Sequence, residues 1–277
     1  MNYRHAYHAG NFADVVKHLA LTGVLLHLRK KDAPFAVIDS HAGRGRYNLA
    51  GEQALRTGEA ANGIGRLGGL GDAEGALGEY LRLAGGGEIY PGSPLIAAAL
   101  LRPQDRLVAI EKHPEEAVLL KAALVRFRNA QTQEADGYKR LAALLPPPER
   151  RGVVLIDPPF ESAVEFHDVA RALGEALRRF ANGIYLVWFP VKSAGEANAF
   201  CGEVLAAGVK KALRIDIDIG ASGKAVDAKE RLTAAGLIVV NPPYGFAEEM
   251  RTALARVAPL LSDKAHAEVR VLVGDVD

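Results

Sequence analysis

The chain has 277 residues, nearly half of them hydrophobic, and a formal net charge of +1. That length and apolar content suit one large α/β domain, and the near-neutral charge argues against a dedicated nucleic-acid coat while leaving room for one basic face. No apolar run approaches the roughly 18–20 residues of a membrane span, the start Met1-Asn2-Tyr3-Arg4-His5 lacks the apolar stretch of a signal peptide, and the single cysteine, Cys201, excludes an intrachain disulfide and a cysteine-built zinc site, so the expectation is a cytoplasmic monomer without metal or membrane.

In chain order, Asn11 is an expected N-cap, and Phe12, Val15, Val16 and Leu19 at helical spacing predict a helix from 12 to about 31. The apolar run Phe35 to Asp39 predicts a first strand that ends in the loop His41-Ala42-Gly43-Arg44-Gly45-Arg46. Residues 51–92 are glycine-rich, yet Leu67, Leu70, Leu77, Tyr80 and Leu81 supply packing surface, which predicts a small, partly helical insertion. Further strands are expected at Leu107–Ile110, Ala130–Ala135, Val153–Ile156, Gly183–Phe189, Leu213–Ile219 and Leu237–Val240, with Val269–Val273 as one more. Pro94 and Pro114 mark helix starts, and Ala163–Phe180 and Phe246–Leu261 are amphipathic. Apolar strands alternating with helices predict a Rossmann-like, mostly parallel seven-stranded sheet covered on both faces, with one antiparallel pair among the late strands.

Four elements carry chemistry. Asp39-Ser40-His41-Ala42-Gly43-Arg44-Gly45 follows the first strand; its glycines let backbone approach a ligand at the carboxyl edge of the sheet. It lacks the G-x-G-x-x-G dinucleotide spacing and is similar to the acidic-x-x-x-G-x-G loop that holds the methionine part of S-adenosylmethionine. Glu111 closes the second strand, where a carboxylate can accept both hydroxyls of a ribose. Asp136, before Gly137 and Tyr138, closes the third, suited to an adenine amino group or to capping the next helix. Val153–Ile156 then runs into Asp157-Pro158-Pro159-Phe160. The prolines fix φ and have no N–H, so the carbonyls of Asp157 and Pro158 are held toward the cleft as acceptors for one exocyclic amino group, and the ring of Phe160 offers a stacking face for an extruded base. Asp157, Pro158 and Phe160 are therefore the candidate catalytic residues. Asn241-Pro242-Pro243-Tyr244 repeats the pattern after Leu237–Val240. Strand order favours Asp157, leaving Asn241–Tyr244 as structural or as a wall of the target-base pocket. Residues 3–18, dense in aromatic, His and basic side chains, read as a lid-like arm over cofactor and base; no carboxylate or cysteine set beside its histidines completes a metal site.

With these residues assembled, the chain resembles the bacterial 23S ribosomal RNA adenine-N6 methyltransferase family of the RlmJ type, a family that has also carried a label for catabolism of external DNA. The resemblance covers nearly the full chain. It rests on Tyr3-Arg4-His5, His8-Ala9-Gly10-Asn11, Ala13-Asp14-Val15, Lys17-His18, Asp39–Gly43, Tyr90–Ala97, Ala135-Asp136-Gly137, Ile156–Pro159 and Asn241-Pro242-Pro243. It implies S-adenosyl-L-methionine as cofactor, contacted by Lys17, His18, His41, Gly43, Ser93, Glu111, Asp136 and Gly137. It also implies catalysis at Asp157 and contact with 23S ribosomal RNA through Tyr3 and Arg4. Phe160 departs from the family's familiar Tyr, and the glycine-rich composition of 51–92 is unusual. Two other readings stand beside it: a DNA adenine-N6 methyltransferase, since Asp-Pro-Pro-aromatic serves both polymers, and a nucleic-acid-binding protein for uptake and use of external DNA, which would need no cofactor site.

Overall fold

The structure is a computed structural model that describes residues 5–162, 164–220 and 232–276. A short 3-10 turn, His5–Tyr7, leads into α1 (Phe12–Arg29), whose N-cap Asn11 accepts the N–H of Asp14 at 2.9 Å as its sequence position predicts. The first strand is β1 (Ala36–Asp39). An excursion follows: β2 (Arg46–Asn48), α2 (Glu52–Thr57), a 3-10 turn at Ile64–Leu67, α3 (Gly75–Ala84) and β3 (Ile89–Pro91). Antiparallel pairing of β2 with β3 closes its neck, Arg46 opposite Pro91, and Leu67, Leu77 and Tyr80 are buried within it. The chain continues through α4 (Ser93–Leu100), β4 (Arg106–Glu111), α5 (Pro114–Leu124), β5 (Ala130–Glu134), α6 (Gly137–Leu144) and β6 (Gly152–Ile156). It ends with α7 (Val164–Arg179), β7 (Ile184–Pro190), α8 (Ala194–Ala206), β8 (Ala212–Asp218), β9 (Ala234–Val240), α9 (Phe246–Leu261) and β10 (His266–Val273). Ala163, the expected first residue of α7, lies outside the described residues.

The main sheet has eight strands in the order β10-β8-β9-β7-β6-β1-β4-β5. Strands β5, β4, β1, β6 and β7 are parallel to one another, whereas β9 runs against both β7 and β8. The strand beyond the expected seven is β10, which pairs antiparallel with β8 at the sheet edge. Every residue of β1, β6 and β9 is buried, as a sheet covered on both faces requires. Alternation along the strands divides the core: Val37, Leu107, Val153 and Leu155 pack with α1, α3, α4 and α9, and Ile38, Val108, Val154 and Ile156 pack with α6, α7 and α8. Among the described residues no helix is long and apolar enough to cross a membrane, and no group of His, Cys, Asp and Glu is arranged to hold a metal ion.

Candidate active site

The carboxyl ends of β1, β4, β5 and β6 open into a cleft of about 780 Å³, within the size range of small-molecule sites. The loop after β1 is pinned from both sides. Ser40 N–H donates to Leu155 O on β6 at 3.0 Å, and Ala42 N–H donates to Ile110 O on β4 at 2.8 Å. Gly43 then takes φ +59°, and a Cβ there would stand 2.3 Å from the Tyr47 hydroxyl, so only glycine fits. The Gly43 N–H donates to Glu111 Oε2 at 2.8 Å, and the His113 N–H donates to Glu111 Oε1 at 2.7 Å. Burial pushes the Glu111 carboxyl above its ordinary pKa, an effect these two donors oppose.

Asp136 caps α6, accepting the Lys139 N–H at 3.3 Å, and its other oxygen accepts from Lys112 Nζ at 2.9 Å. Burial works to raise its pKa, but the Lys112 and Lys139 interactions outweigh this and hold it below the ordinary value. Gly137 opens α6 so close to the first loop that an added Cβ would lie 2.1 Å from Ser40 O. Ser93, the first residue of α4, donates to the buried Asp39 at 2.7 Å. Burial lifts the Asp39 pKa to about 7 and drops that of His41 to about 4. His41 bonds Ser40 Oγ at 2.8 Å and meets the Tyr138 ring edge-on, 4.9 Å between centroids.

The contact between the first helix and the Asp157-Pro158-Pro159-Phe160 motif was not visible in the sequence. Lys17 Nζ lies 2.5 Å from Asp157 Oδ2 and 2.7 Å from Asp14 Oδ1, with all three side chains largely buried. Burial works to lower the Lys17 pKa, and the two carboxylates overcome it and raise the value. At Asp14, burial pushes upward, while the positive charges of His5 and Lys17 hold it well below the usual carboxylate range. Asp14 Oδ2 is also bonded to His5 Nε2 and to the Gly10 N–H, both at 2.9 Å. His18, buried next to it, bonds the Tyr90 hydroxyl at 2.7 Å, and burial drops its pKa to about 3.

Thus Lys17, His18, His41, Gly43, Ser93, Glu111, Asp136, Gly137, Asp157, Pro158 and Phe160 all line one cleft. Tyr3 and Arg4 lie outside the described residues. The described part of the arm is anchored: Ala6 and Ala9 are buried, His5 holds Asp14, and Thr57 Oγ1 donates to Tyr7 O at 2.5 Å. From His5 onward the arm is therefore part of the packed structure and not a free flap. Sequence reasoning passed over Trp188 and Glu165, which also line the cleft. The Phe160 ring packs against Phe166 at 4.7 Å and edge-on to Trp188 at 5.7 Å. As the chain's single tryptophan, near the end of a buried strand, Trp188 was the available signal.

None of Asn241–Tyr244 lines the cleft, so this motif is not a wall of the target-base pocket. Because β9 is antiparallel to β7, its last residue Val240 lies beside Tyr185 at the start of β7, on the edge of the sheet opposite the cleft. The Asn241 amide instead donates to Ala181 O at 2.9 Å and Gly183 O at 2.7 Å. Arg44 in the first loop is committed to Glu116 through two bonds of 2.6 and 2.7 Å.

A family model described as Ribosomal RNA large subunit methyltransferase D, RlmJ, matches residues 32–273. The chain is 40% identical over 261 residues to Ribosomal RNA large subunit methyltransferase J of Escherichia coli (strain K12), covering 92% of this chain and 91% of the relative. It is 37% identical to the protein of the same name from Haemophilus influenzae (strain ATCC 51907 / DSM 11121 / KW20 / Rd), with 92% of each covered. The crystal structure of a protein from Legionella pneumophila str. Philadelphia 1 superposes with a TM-score of 0.85 at 32% identity, covering 95% of this chain and 98% of that one. By these matches and by its fold, the chain belongs to the RlmJ family of ribosomal RNA large-subunit methyltransferases.

Proposed function

We propose that the chain transfers the methyl group of S-adenosyl-L-methionine to N6 of an adenine in 23S ribosomal RNA. The observation that carries this reading is Asp157-Pro158-Pro159-Phe160 at the carboxyl end of β6, opening into the cleft that also holds Gly43, Glu111 and Asp136. The donor set suits a nucleoside cofactor. Glu111 offers a carboxylate for ribose hydroxyls, Asp136 an acceptor suited to an adenine amino group, and Gly43 and Gly137 let the loops that line the cleft pack where a Cβ would meet Tyr47 or Ser40. When bound, the cofactor supplies an electrophilic methyl on a sulfonium sulfur. Residues 51–92 are in this reading an inserted subdomain that, with the arm, closes one side of the site.

The nitrogen of an adenine amino group is a poor nucleophile because its lone pair is delocalised into the ring. Two acceptors, the carbonyls of Asp157 and Pro158, orient both N–H bonds and favour a pyramidal nitrogen. With the methyl group supplied by the bound cofactor, which would leave as the neutral thioether, N6 would take the methyl and give up its proton to the Asp157 carboxylate or to water. Lys17, at 2.5 Å, fixes the direction in which that carboxylate points. Phe160, braced by Phe166 and Trp188, offers its face to the base. The test is methyl transfer by the purified protein to a 23S ribosomal RNA transcript and to DNA of the same sequence, with N6-methyladenine mapped in the product. The expected result is methylation of the RNA, abolished by about two orders of magnitude or more in Asp157→Ala with cofactor affinity retained. Transfer to the DNA alone, or near-normal single-turnover rates for Asp157→Ala, would overturn it.

A further inference from the structure

The second X-Pro-Pro-aromatic loop is built with care, yet it lies on the wrong edge of the sheet for the reaction. Asn241 adopts φ +52°, a region that non-glycine residues seldom occupy. Its side chain is locked by the carbonyls of Ala181 and Gly183, and its N–H donates to Lys211 O at 2.9 Å. Pro242 and Pro243 are buried. This rigid turn presents one residue outward, Tyr244, whose side chain is 81% exposed, the most exposed aromatic ring among the large apolar side chains described. Beside it is a hollow of about 430 Å³ lined by His27, Lys30, Tyr244, Gly245, Phe246 and Glu249. Glu249 is the acid there, and it accepts the Ala76 N–H at 3.3 Å.

The surroundings of this turn are cationic for a topological reason. The helices α1 and α7 both end on this edge, on opposite faces of the sheet, and β8 begins on it, which brings Lys30, Lys31, Arg178, Arg179, Lys210 and Lys211 to this edge; Lys30 lines the hollow with Tyr244, and Lys211 O accepts the Asn241 N–H. None of these six forms an ion pair among the described residues. The local field is also visible at His27, whose pKa is lowered first by burial and then by Lys30, Arg151 and Lys31. A helix end explains one or two basic residues by itself. It does not explain cations arriving from three separate elements around a rigidly held, exposed ring.

We infer that the turn Asn241–Tyr244 is a second RNA-binding site, on the edge opposite the catalytic cleft, where an unpaired base of the substrate stacks on Tyr244 and the flanking phosphates meet the surrounding lysines and arginines. Stacking on an aromatic ring together with a cationic track is the general recipe for holding single-stranded nucleic acid. The strands that separate the two edges have five to seven residues, about 17–23 Å at about 3.3 Å each. A folded RNA fragment spans that distance, whereas an isolated target nucleotide does not. The site thus selects for a structured substrate, and the inference rests on the RNA reading above.

The test uses the full-length protein and two readouts: fluorescence anisotropy for binding of a 23S ribosomal RNA fragment, and methyl transfer to the same RNA. Tyr244→Ala is expected to raise the Kd by about 5- to 100-fold and to raise KM for RNA with little change in kcat, while Tyr244→Phe restores both. Lys30→Ala is expected to flatten the dependence of log Kd on log salt by about one unit, as loss of one phosphate contact requires. Wild-type Kd and KM for Tyr244→Ala would overturn the inference, as would an unchanged salt slope in Lys30→Ala; a ring that docks a protein instead gives that outcome. Binding that depends on Tyr244 in a protein that methylates no RNA would defeat the activity reading alone.

Discussion

Replacing Lys17 by Met tests the physical link between the first helix and the catalytic motif. Met keeps the length and apolar stem of the side chain and removes only the charge. In the native protein the ammonium lies 2.7 Å from Asp14 and 2.5 Å from Asp157, and the Asp14 side chain is 2% exposed. Without it, two carboxylates confront one another, one of them buried and left with the His5 ring and the Gly10 N–H as its partners. Removing one member of a buried ion pair costs about 3–5 kcal/mol, and that is the expected loss in unfolding free energy at pH 7, read from denaturant midpoints at unchanged m-value. The sign with pH follows from Asp14. Its folded pKa is held below the unfolded one, so its contribution is complete above the ordinary carboxylate value and is lost as pH falls from there through the lowered folded value. The gap between Lys17→Met and wild type should therefore narrow as pH falls below about 4. Adding Asp14→Asn to Lys17→Met should recover part of the loss, because the uncompensated charge is gone. Single-turnover methyl transfer should fall at least about tenfold as Asp157 loses its orienting partner. A stability change under about 1 kcal/mol together with a wild-type rate would refute the argument.

Three further outcomes follow from the cleft. Glu111→Gln keeps the packing but would weaken the two charge-assisted bonds proposed to the ribose, so calorimetry should show S-adenosylmethionine bound about tenfold more weakly; unchanged affinity would make Glu111 a loop brace for Gly43 and His113 alone. Gly137→Ala places a Cβ 2.1 Å from Ser40 O, and the overpacking should cost about 1–3 kcal/mol or displace the start of α6; a wild-type midpoint with wild-type cofactor affinity would contradict this. Stability should also fall between pH 6.5 and 5. His18 and His41, held to about 3 and about 4, stay neutral when folded and take up protons when unfolded, whereas Asp39, lifted to about 7, holds a proton when folded and opposes them. The net for these three grows as pH falls and approaches one proton near pH 5, a slope of about 1.4 kcal/mol per pH unit there, and Asp39→Asn should steepen the decline; a flatter profile in that variant would show the sign to be wrong.

Where the local pattern is strong, it was legible in the sequence. The apolar runs of β1, β4, β6 and β7, the N-cap at Asn11 and the proline at the start of α5 were all readable within a few residues, because each depends on its immediate neighbours. The Glu111 and Asp136 positions followed from strand ends alone, and Asp136 turned out to cap α6 as well as line the cleft. What was not legible is long-range. Lys17 and Asp157 are 140 residues apart, and nothing in either stretch signals that α1 lies across the cleft with its ammonium directed at β6. The sequence reading also treated the segment before α1 as an arm free to move, since isolated small residues carry no periodic signal; Ala6 and Ala9 are nevertheless buried.

The two X-Pro-Pro-aromatic turns show most clearly what strand direction decides. Their local physics is the same: an apolar strand is stopped by two residues with no N–H to donate, and an aromatic ring follows. Strand β6 lies between parallel neighbours, so its turn opens with the ends of β1, β4 and β5 into a shared cleft, and Phe160 is partly enclosed by Phe166 and Trp188. Strand β9 is antiparallel to β7, so an equally well-formed turn emerges among the beginnings of strands, where Tyr244 is left in solvent. An enclosed ring is already braced and loses little freedom when a base stacks on it, which suits a reacting centre that must hold geometry. An exposed ring among cations suits affinity for a longer polymer, where geometry matters less. Polarity of a single strand therefore brings Asp157 into the cleft and keeps Asn241 out of it, although both turns share the X-Pro-Pro-aromatic pattern.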